Sequence, residues 1–166
     1  QRSHTQHLRM VRDDALRLLS FVNTMPYLES LSLRSSMFSK WYAFSSLLNK
    51  HNIKYLNLSS SLNLYDDDIC VIMETFPNLQ VLDLSNCLEI SDLAMTHILE
   101  YEHTDELNTL YLNHTPQITK NGIKLLMTYK KCITSLEWKG AKYGNVTACF
   151  EAAKHLNYLN LSSNSN

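Results

Sequence analysis

The fold is decided by residues 79–84, LQVLDL, which are followed directly by SNC at residues 85–87. The spacing L-x-x-L-x-L recurs along the chain when Ile is accepted at its first position and Trp at its last. The six segments with this spacing are residues 28–33, 53–58, 79–84, 107–112, 133–138 and 156–161. Their first residues are separated by 25, 26, 28, 26 and 23 positions. This regular period predicts tandem repeats in which each unit packs against the next.

Each segment alternates apolar and polar residues, which predicts a short strand. In residues 53–58, Leu56 and Leu58 point to one face, whereas Tyr55 and Asn57 point to the other. The chain after each strand has the apolar spacing of a helix. We therefore predict one α/β domain over residues 1–166, a leucine-rich repeat solenoid (horseshoe) of about six repeats. Parallel strands form its concave face and helices its convex face.

Polar residues stand where these helices are expected to begin. We interpret the acidic run at residues 66–68 as helix-capping and solvated, rather than as a metal site or a catalytic carboxylate pair. Residues 11–19 predict an opening helix, and residues 139–145 predict a bulged loop on the convex side. The chain begins at Gln1, and we interpret it as a piece of a longer protein.

The third and fourth repeats resemble the cysteine-containing subtype of leucine-rich repeat, whose pattern is L-x-x-L-x-L-x-x-C-x-x-I-T-D-x-G-L-x-x-L. Cys87 stands at the cysteine of that pattern, Ile90 and Ile118 at its isoleucine, Thr119 at its threonine and Asp92 at its aspartate. The subtype is typical of leucine-rich-repeat F-box proteins, the substrate-recognition subunits of cullin-type (SCF) ubiquitin ligases. The resemblance implies substrate recognition by this chain and adaptor binding by a segment outside it, because no F-box is visible here.

The outward-pointing strand residues are the candidate binding site, because a rigid ladder of parallel strands offers an extended surface. Three of them are tyrosines, which suit interface anchors. We predict a protein partner contacted by Tyr55, Asn57, Val81, Asp83, Thr109, Tyr111, Glu137 and Tyr158. The alternative is that these side chains are only solvated or help to pack adjacent strands.

Composition and motifs exclude several other functions. The 15 basic and 16 acidic side chains leave a net charge of −1, which disfavours nucleic-acid binding. The three glycines form no phosphate-binding loop, and no apolar run is long enough to cross a membrane. No nucleophile is paired with a histidine at a recognisable spacing, and His114 near the groove edge is interpreted as a surface residue. We predict a non-catalytic protein with no cofactor and no metal.

The four cysteines predict a reducing compartment, because they show no metal-binding or disulfide-framework spacing. We interpret Cys87 as a small apolar filler, and Cys70 and Cys149 as helical core residues. The protein is expected to be intracellular, either cytoplasmic or nuclear. Two alternatives to substrate recognition remain open. One is a structural or scaffolding subunit of a stable assembly, held by the groove or by open ends; the other is an immune-receptor-type array.

Overall fold

Six short strands form one sheet in the computed structural model, which describes residues 15–37, 41–48, 50–101, 105–140, 147–151 and 153–162. Every neighbouring pair is parallel, and the strands lie side by side in chain order. The strands are β1 (Ser30–Ser32), β2 (Tyr55–Asn57), β3 (Val81–Asp83), β4 (Thr109–Tyr111), β5 (Ser135–Glu137) and β6 (Tyr158–Asn160). Each strand lies within one of the six repeat segments. The predicted α/β fold with a parallel sheet is confirmed.

Helical segments connect the strands, as parallel pairing requires. The α-helices are α1 (Ala15–Val22), α2 (Asp66–Thr75), α3 (Asp92–Glu100) and α4 (Lys120–Tyr129). After β1 and β5 the described chain forms 3₁₀ helices instead, at Trp41–Ser46, Lys50–Asn52 and Thr147–Phe150. Helix α1 overlaps the predicted opening helix, of which residues 11–14 lie outside the described chain. Most of the predicted bulged loop, residues 141–145, lies outside it as well.

The core lies between the sheet and the helices, and the middle residue of each strand points into it. Leu82, Leu110 and Leu136 are fully buried, and the middle leucines of β1 and β2 are at most 1% exposed. Where α-helix is replaced by 3₁₀ helix after β1, large aromatic rings fill the space. Trp41 and Phe44 are buried there and stack with their ring centroids 5.6 Å apart.

The backbone turns sharply at the same place after each of the first five strands. The third residue beyond the strand has a positive φ of 55–61° at Ser35, Ser60, Asn86 and His114, and of 78° at Gly140. Such a conformation costs a residue other than glycine roughly 1–2 kcal/mol. It is offset by a hydrogen bond: the first four residues each donate their N–H to a carbonyl of the following repeat at 2.7–2.8 Å. These bonds extend the parallel ladder beyond the strands.

Aspartates at the starts of α2 and α3 link one helix to the next. The carboxylate of Asp66 accepts hydrogen bonds from the N–H and hydroxyl of Ser91, both at 2.7 Å, and from Ala94 N at 3.1 Å. Asp92 repeats the arrangement one helix later, accepting from Thr119 N at 2.7 Å and Thr119 Oγ1 at 2.6 Å. Each carboxylate therefore fixes the residue that caps the following helix.

The acidic run at residues 66–68 has three different environments. The side chain of Asp67 is 97% exposed, as its predicted solvated role requires. Asp68 accepts from Tyr65 N at 2.9 Å and so caps its own helix, also as predicted. Asp66 instead bonds to the next repeat, a contact that the sequence analysis missed. Gly122, the third residue of α4, packs closely against Asp92: a Cβ added there would lie 2.7 Å from Asp92 Cγ, so the Asp92 side chain would have to shift.

None of the four described α-helices, which contain eight to ten residues, is long and apolar enough to cross a membrane.

We expect Leu110→Ala to lower the free energy of unfolding by about 3 kcal/mol, because it leaves a cavity in the closed core. Leu159→Ala is the matched control, since Leu159 has the same position on β6 but is 39% exposed. It should cost less than about 1.5 kcal/mol. Urea titrations of both variants measure the two values. Equal losses would contradict this account of the core.

We expect Asp66→Ala to lower the free energy of unfolding by about 2 kcal/mol, because it leaves Ser91 N without its acceptor and removes one of the two acceptors of Ala94 N. Asp67→Ala removes a neighbouring carboxylate of the same helix that is exposed, and should change stability by no more than about 0.5 kcal/mol. Thermal and urea unfolding of the pair measure the difference. A similar loss in both variants would show that the helix dipole, and not the link between helices, accounts for the effect.

Candidate functional site

The first and third residues of each strand form one surface of the sheet, here called the polar face. Strand pairing arranges these residues in two rows, in which neighbours lie about 4.8 Å apart. The first row contains Ser30, Tyr55, Val81, Thr109, Ser135 and Tyr158. The second row contains Ser32, Asn57, Asp83, Tyr111, Glu137 and Asn160. All eight residues predicted to contact a partner lie on the polar face.

Tyr111 lies in the middle of this surface, paired with Asp83 on one side and Glu137 on the other. Burial raises the pKa of its half-buried phenol, and the nearby charges of Glu137, Tyr55, Asp83 and Tyr158 raise that pKa further. Tyr111 and these four side chains therefore form one group, in which each of the four lies close enough to Tyr111 to act on its phenol electrostatically. They include all three of the predicted tyrosines and both carboxylates.

Glu137 is held by three donors. Its Oε2 accepts from Asn113 Nδ2 and Lys139 Nζ, both at 3.1 Å, and its Oε1 accepts from Tyr158 OH at 3.0 Å. Burial alone would raise the pKa of this carboxyl, but the hydrogen bonds and the charge of Lys139 outweigh it, so the pKa of Glu137 is lowered. Glu137 thus has a structural role, because it joins β6 to the turn that follows β4.

Asn57 and Asp83 bond to the chain two residues beyond them. Asn57 Oδ1 accepts from Ser59 N at 2.9 Å and from Ser59 Oγ at 2.7 Å, while Asp83 Oδ1 accepts from Ser85 N at 2.9 Å. Such turns shape the chain as it leaves the strand. The second carboxylate oxygen of Asp83, Oδ2, has no hydrogen-bond donor among the described residues. Asp83 therefore combines a structural contact with a free acceptor on the polar face.

The first row is less strongly bonded. Tyr55 OH accepts a long hydrogen bond of 3.4 Å from Asn57 Nδ2, and Thr109 Oγ1 donates to Asn108 Oδ1 at 2.8 Å. Val81 is half-buried between them and offers a small apolar surface. These residues shape the polar face without adding charge to it.

A second exposed surface lies just beyond the strands, which the sequence analysis did not identify. Met37, Leu62, Leu88 and Pro116 occupy the same place in four successive repeats, and the first three are 50–56% exposed. We call them the edge row. The repeats that contain Met37 and Leu62 are in contact here, since Leu62 N donates to Ser36 O at 3.3 Å. The signal was available in the sequence, because an apolar residue recurs directly after the position occupied by Cys87.

The four cysteines differ in how far they are buried. All four are free; Cys87 and Cys149 are buried and belong to the core, whereas Cys70 and Cys132 are only partly buried. Burial raises the pKa of the Cys87 thiol to about 12, and its Sγ lies 3.3 Å from Leu58 O. Cys87 is thus the core filler that was predicted, while Cys70 lies outside the core cluster. Among the described residues, no group of three acidic, His or Cys side chains could hold a metal ion.

No protein-family model matches the chain, and no curated protein matches it in sequence. The candidate site accordingly rests on the geometry of the polar face alone.

The lowered pKa of Glu137 predicts how the free energy of unfolding changes as the pH falls. Because the folded-state pKa lies below the ordinary value of 4.5, the ionised carboxylate stabilises the fold at neutral pH. That contribution is lost as the pH falls through the folded-state pKa. We expect Glu137→Gln to cost about 1 kcal/mol at pH 7 and the difference from wild type to narrow below pH 4.5. Glu89→Gln, at an exposed position, is the control, and urea titrations from pH 7 to 3 measure both. A constant difference over this range would contradict the assignment.

Proposed function

We propose that this chain is a leucine-rich repeat solenoid whose polar face is concave and binds a protein partner without catalysis. The observation that carries the proposal is the alignment of the polar face: six strands in chain order bring tyrosines and carboxylates from separate repeats into two continuous rows. Pairing between strands fixes these rows before any partner arrives. A preorganised surface loses little conformational entropy on binding, which favours recognition of another protein.

The repeat subtype is supported by the roles of its pattern residues. Cys87, Ile90 and Ile118 are all fully buried, so each apolar position of the pattern supplies core volume. Thr119 and Asp92 bond to each other across two helices at 2.6 Å and 2.7 Å. A pattern that preserves core volume and a link between repeats is what a stacked repeat needs.

The more specific proposal is substrate recognition for a cullin-type (SCF) ubiquitin ligase. It is supported by the resemblance of the third and fourth repeats to leucine-rich-repeat F-box proteins. The polar face would bind the substrate, and a segment outside this chain would bind the ligase adaptor. Four free cysteines suit an intracellular protein, in the cytoplasm or the nucleus.

A structural or scaffolding subunit of a stable assembly is the second candidate. It is favoured by exposed apolar surface on β6: Leu159 is 39% exposed although its counterparts on the other five strands are buried, so either further chain or a partner must cover it. The edge row adds further exposed apolar surface, and such surfaces often mark contacts with other chains. In this case the partner would cover β6 or the edge row, and the polar face would be left open.

Affinity purification of the full-length protein from cells, with quantitative mass spectrometry, tests both candidates. The variant is Asp83→Lys with Tyr111→Ala, which reverses the charge and removes the ring at the middle of the polar face. The control is Asp67→Lys with Tyr129→Ala, which makes the same changes at exposed helix positions. We expect the variant to lose at least nine-tenths of a partner that wild type and control retain, because central interface residues carry most of the binding energy.

The ligase proposal adds one expectation: adaptor and cullin co-purify with wild type, variant and control alike, because their binding segment is untouched. A preparation without adaptor and cullin would overturn the ligase proposal and leave the binding role standing. A fixed set of subunits kept by all three proteins would favour the assembly subunit instead. Circular dichroism of each purified protein checks that the substitutions leave the fold intact.

A further inference from the structure

The charges on the polar face are not balanced. Its two carboxylates are Asp83 and Glu137, and Glu137 is already neutralised by Lys139 at 3.1 Å. No salt bridge joins Asp83 to any residue in the described part of the chain. The other members of the two rows are uncharged at neutral pH, so Asp83 gives this surface its uncompensated negative charge.

Asp83 is also placed to interact strongly. It lies on β3, near the middle of the sheet, and is only partly exposed. A partly desolvated carboxylate attracts a cation more strongly than a fully hydrated one does. Its Oδ1 is occupied by Ser85 N, whereas Oδ2 is left to accept a charge-assisted hydrogen bond.

Tyrosines flank this carboxylate. Tyr111 is its direct partner on β4, and Tyr55 is diagonal to it on β2, in the other row. Asp83 and Tyr55 both lie near enough to Tyr111 to raise the pKa of its phenol. Tyrosine rings attract cations as well, because the π-face of the ring is electron-rich. One carboxylate between two tyrosines suits the aliphatic stem and charged end of a long basic side chain.

We propose that the polar face recognises a basic segment of its protein partner, whose Arg or Lys side chain binds Asp83 between Tyr55 and Tyr111. This inference rests on the proposed binding function and names the chemistry of its partner. An acidic or phosphorylated segment fits less well beside Asp83, because neither row contains a cation. Of the described cations just beyond the strands, Lys139 is paired with Glu137, and Arg34 follows β1, two strands away from Asp83. A wholly apolar segment would bury Asp83 without a partner, which is costly.

Asp83→Asn is the decisive variant, because the sheet itself shows that asparagine fits there. Asn57 on β2 and Asn160 on β6 occupy the same strand position, and each accepts a hydrogen bond from the N–H two residues later. Asparagine at position 83 should therefore keep the bond to Ser85 N and remove only the charge. Asp67→Asn, which neutralises an exposed carboxylate on α2, is the matched control.

The experiment is the selection of random 12-residue peptides, displayed on phage, against the purified wild-type protein. We expect the enriched sequences to contain more Arg and Lys than the starting library. The best binders are then synthesised and their Kd measured by fluorescence anisotropy at 50 and 500 mM NaCl. Asp83→Asn should weaken binding about tenfold, and Asp67→Asn should leave it unchanged. High salt should weaken binding to wild type more than to Asp83→Asn.

The outcomes separate this inference from the proposed function. The enriched peptides could lack basic residues and yet fail to bind the Asp83→Lys, Tyr111→Ala variant. That result would overturn the inference and support the polar face as a binding site. Basic peptides whose Kd is the same for wild type and Asp83→Asn would also overturn it. Peptides that bind this double variant and wild type with the same Kd would count against both proposals.

Discussion

Hydrogen bonding between one strand and the next is the constraint on which this structure depends. A strand of three residues cannot hold its own conformation, and a single leucine cannot form a core. Parallel pairing solves both problems, because it places the middle leucine of each strand directly against that of its neighbours. The same pairing aligns the outward residues. Core and polar face are therefore two consequences of one register.

Two contacts outside the sheet reinforce this register. Residues of positive φ, such as Ser60 and Asn86, donate their N–H groups to the next repeat just beyond the strands. On the helical side, Asp66 and Asp92 hold the cap of the following helix. The second and third repeats are thus each bonded to the next at the sheet, at the turn and at the helix start. A displacement at one level is resisted at the other two.

The period of the leucines was enough to predict the strands and the parallel sheet, because burial of alternate residues leaves a strong sequence pattern. The positive φ at Ser35 and His114 could not be predicted, since these residues have no preference strong enough to reveal it. Likewise, the eight candidate site residues were placed on one face by strand alternation. Their individual contacts, such as the three donors around Glu137, depend on side-chain conformations that a repeat pattern does not specify.

The two outer strands of the sheet, β1 and β6, differ in how well their middle leucines are covered. Helix α1 contributes Leu18, Leu19 and Val22 to the core near β1, so that side of the sheet is closed by the chain itself. On β6, by contrast, Leu159 meets solvent. Because a repeat array is stabilised by contacts between neighbouring repeats, β6 is the described strand whose middle leucine gains least from them.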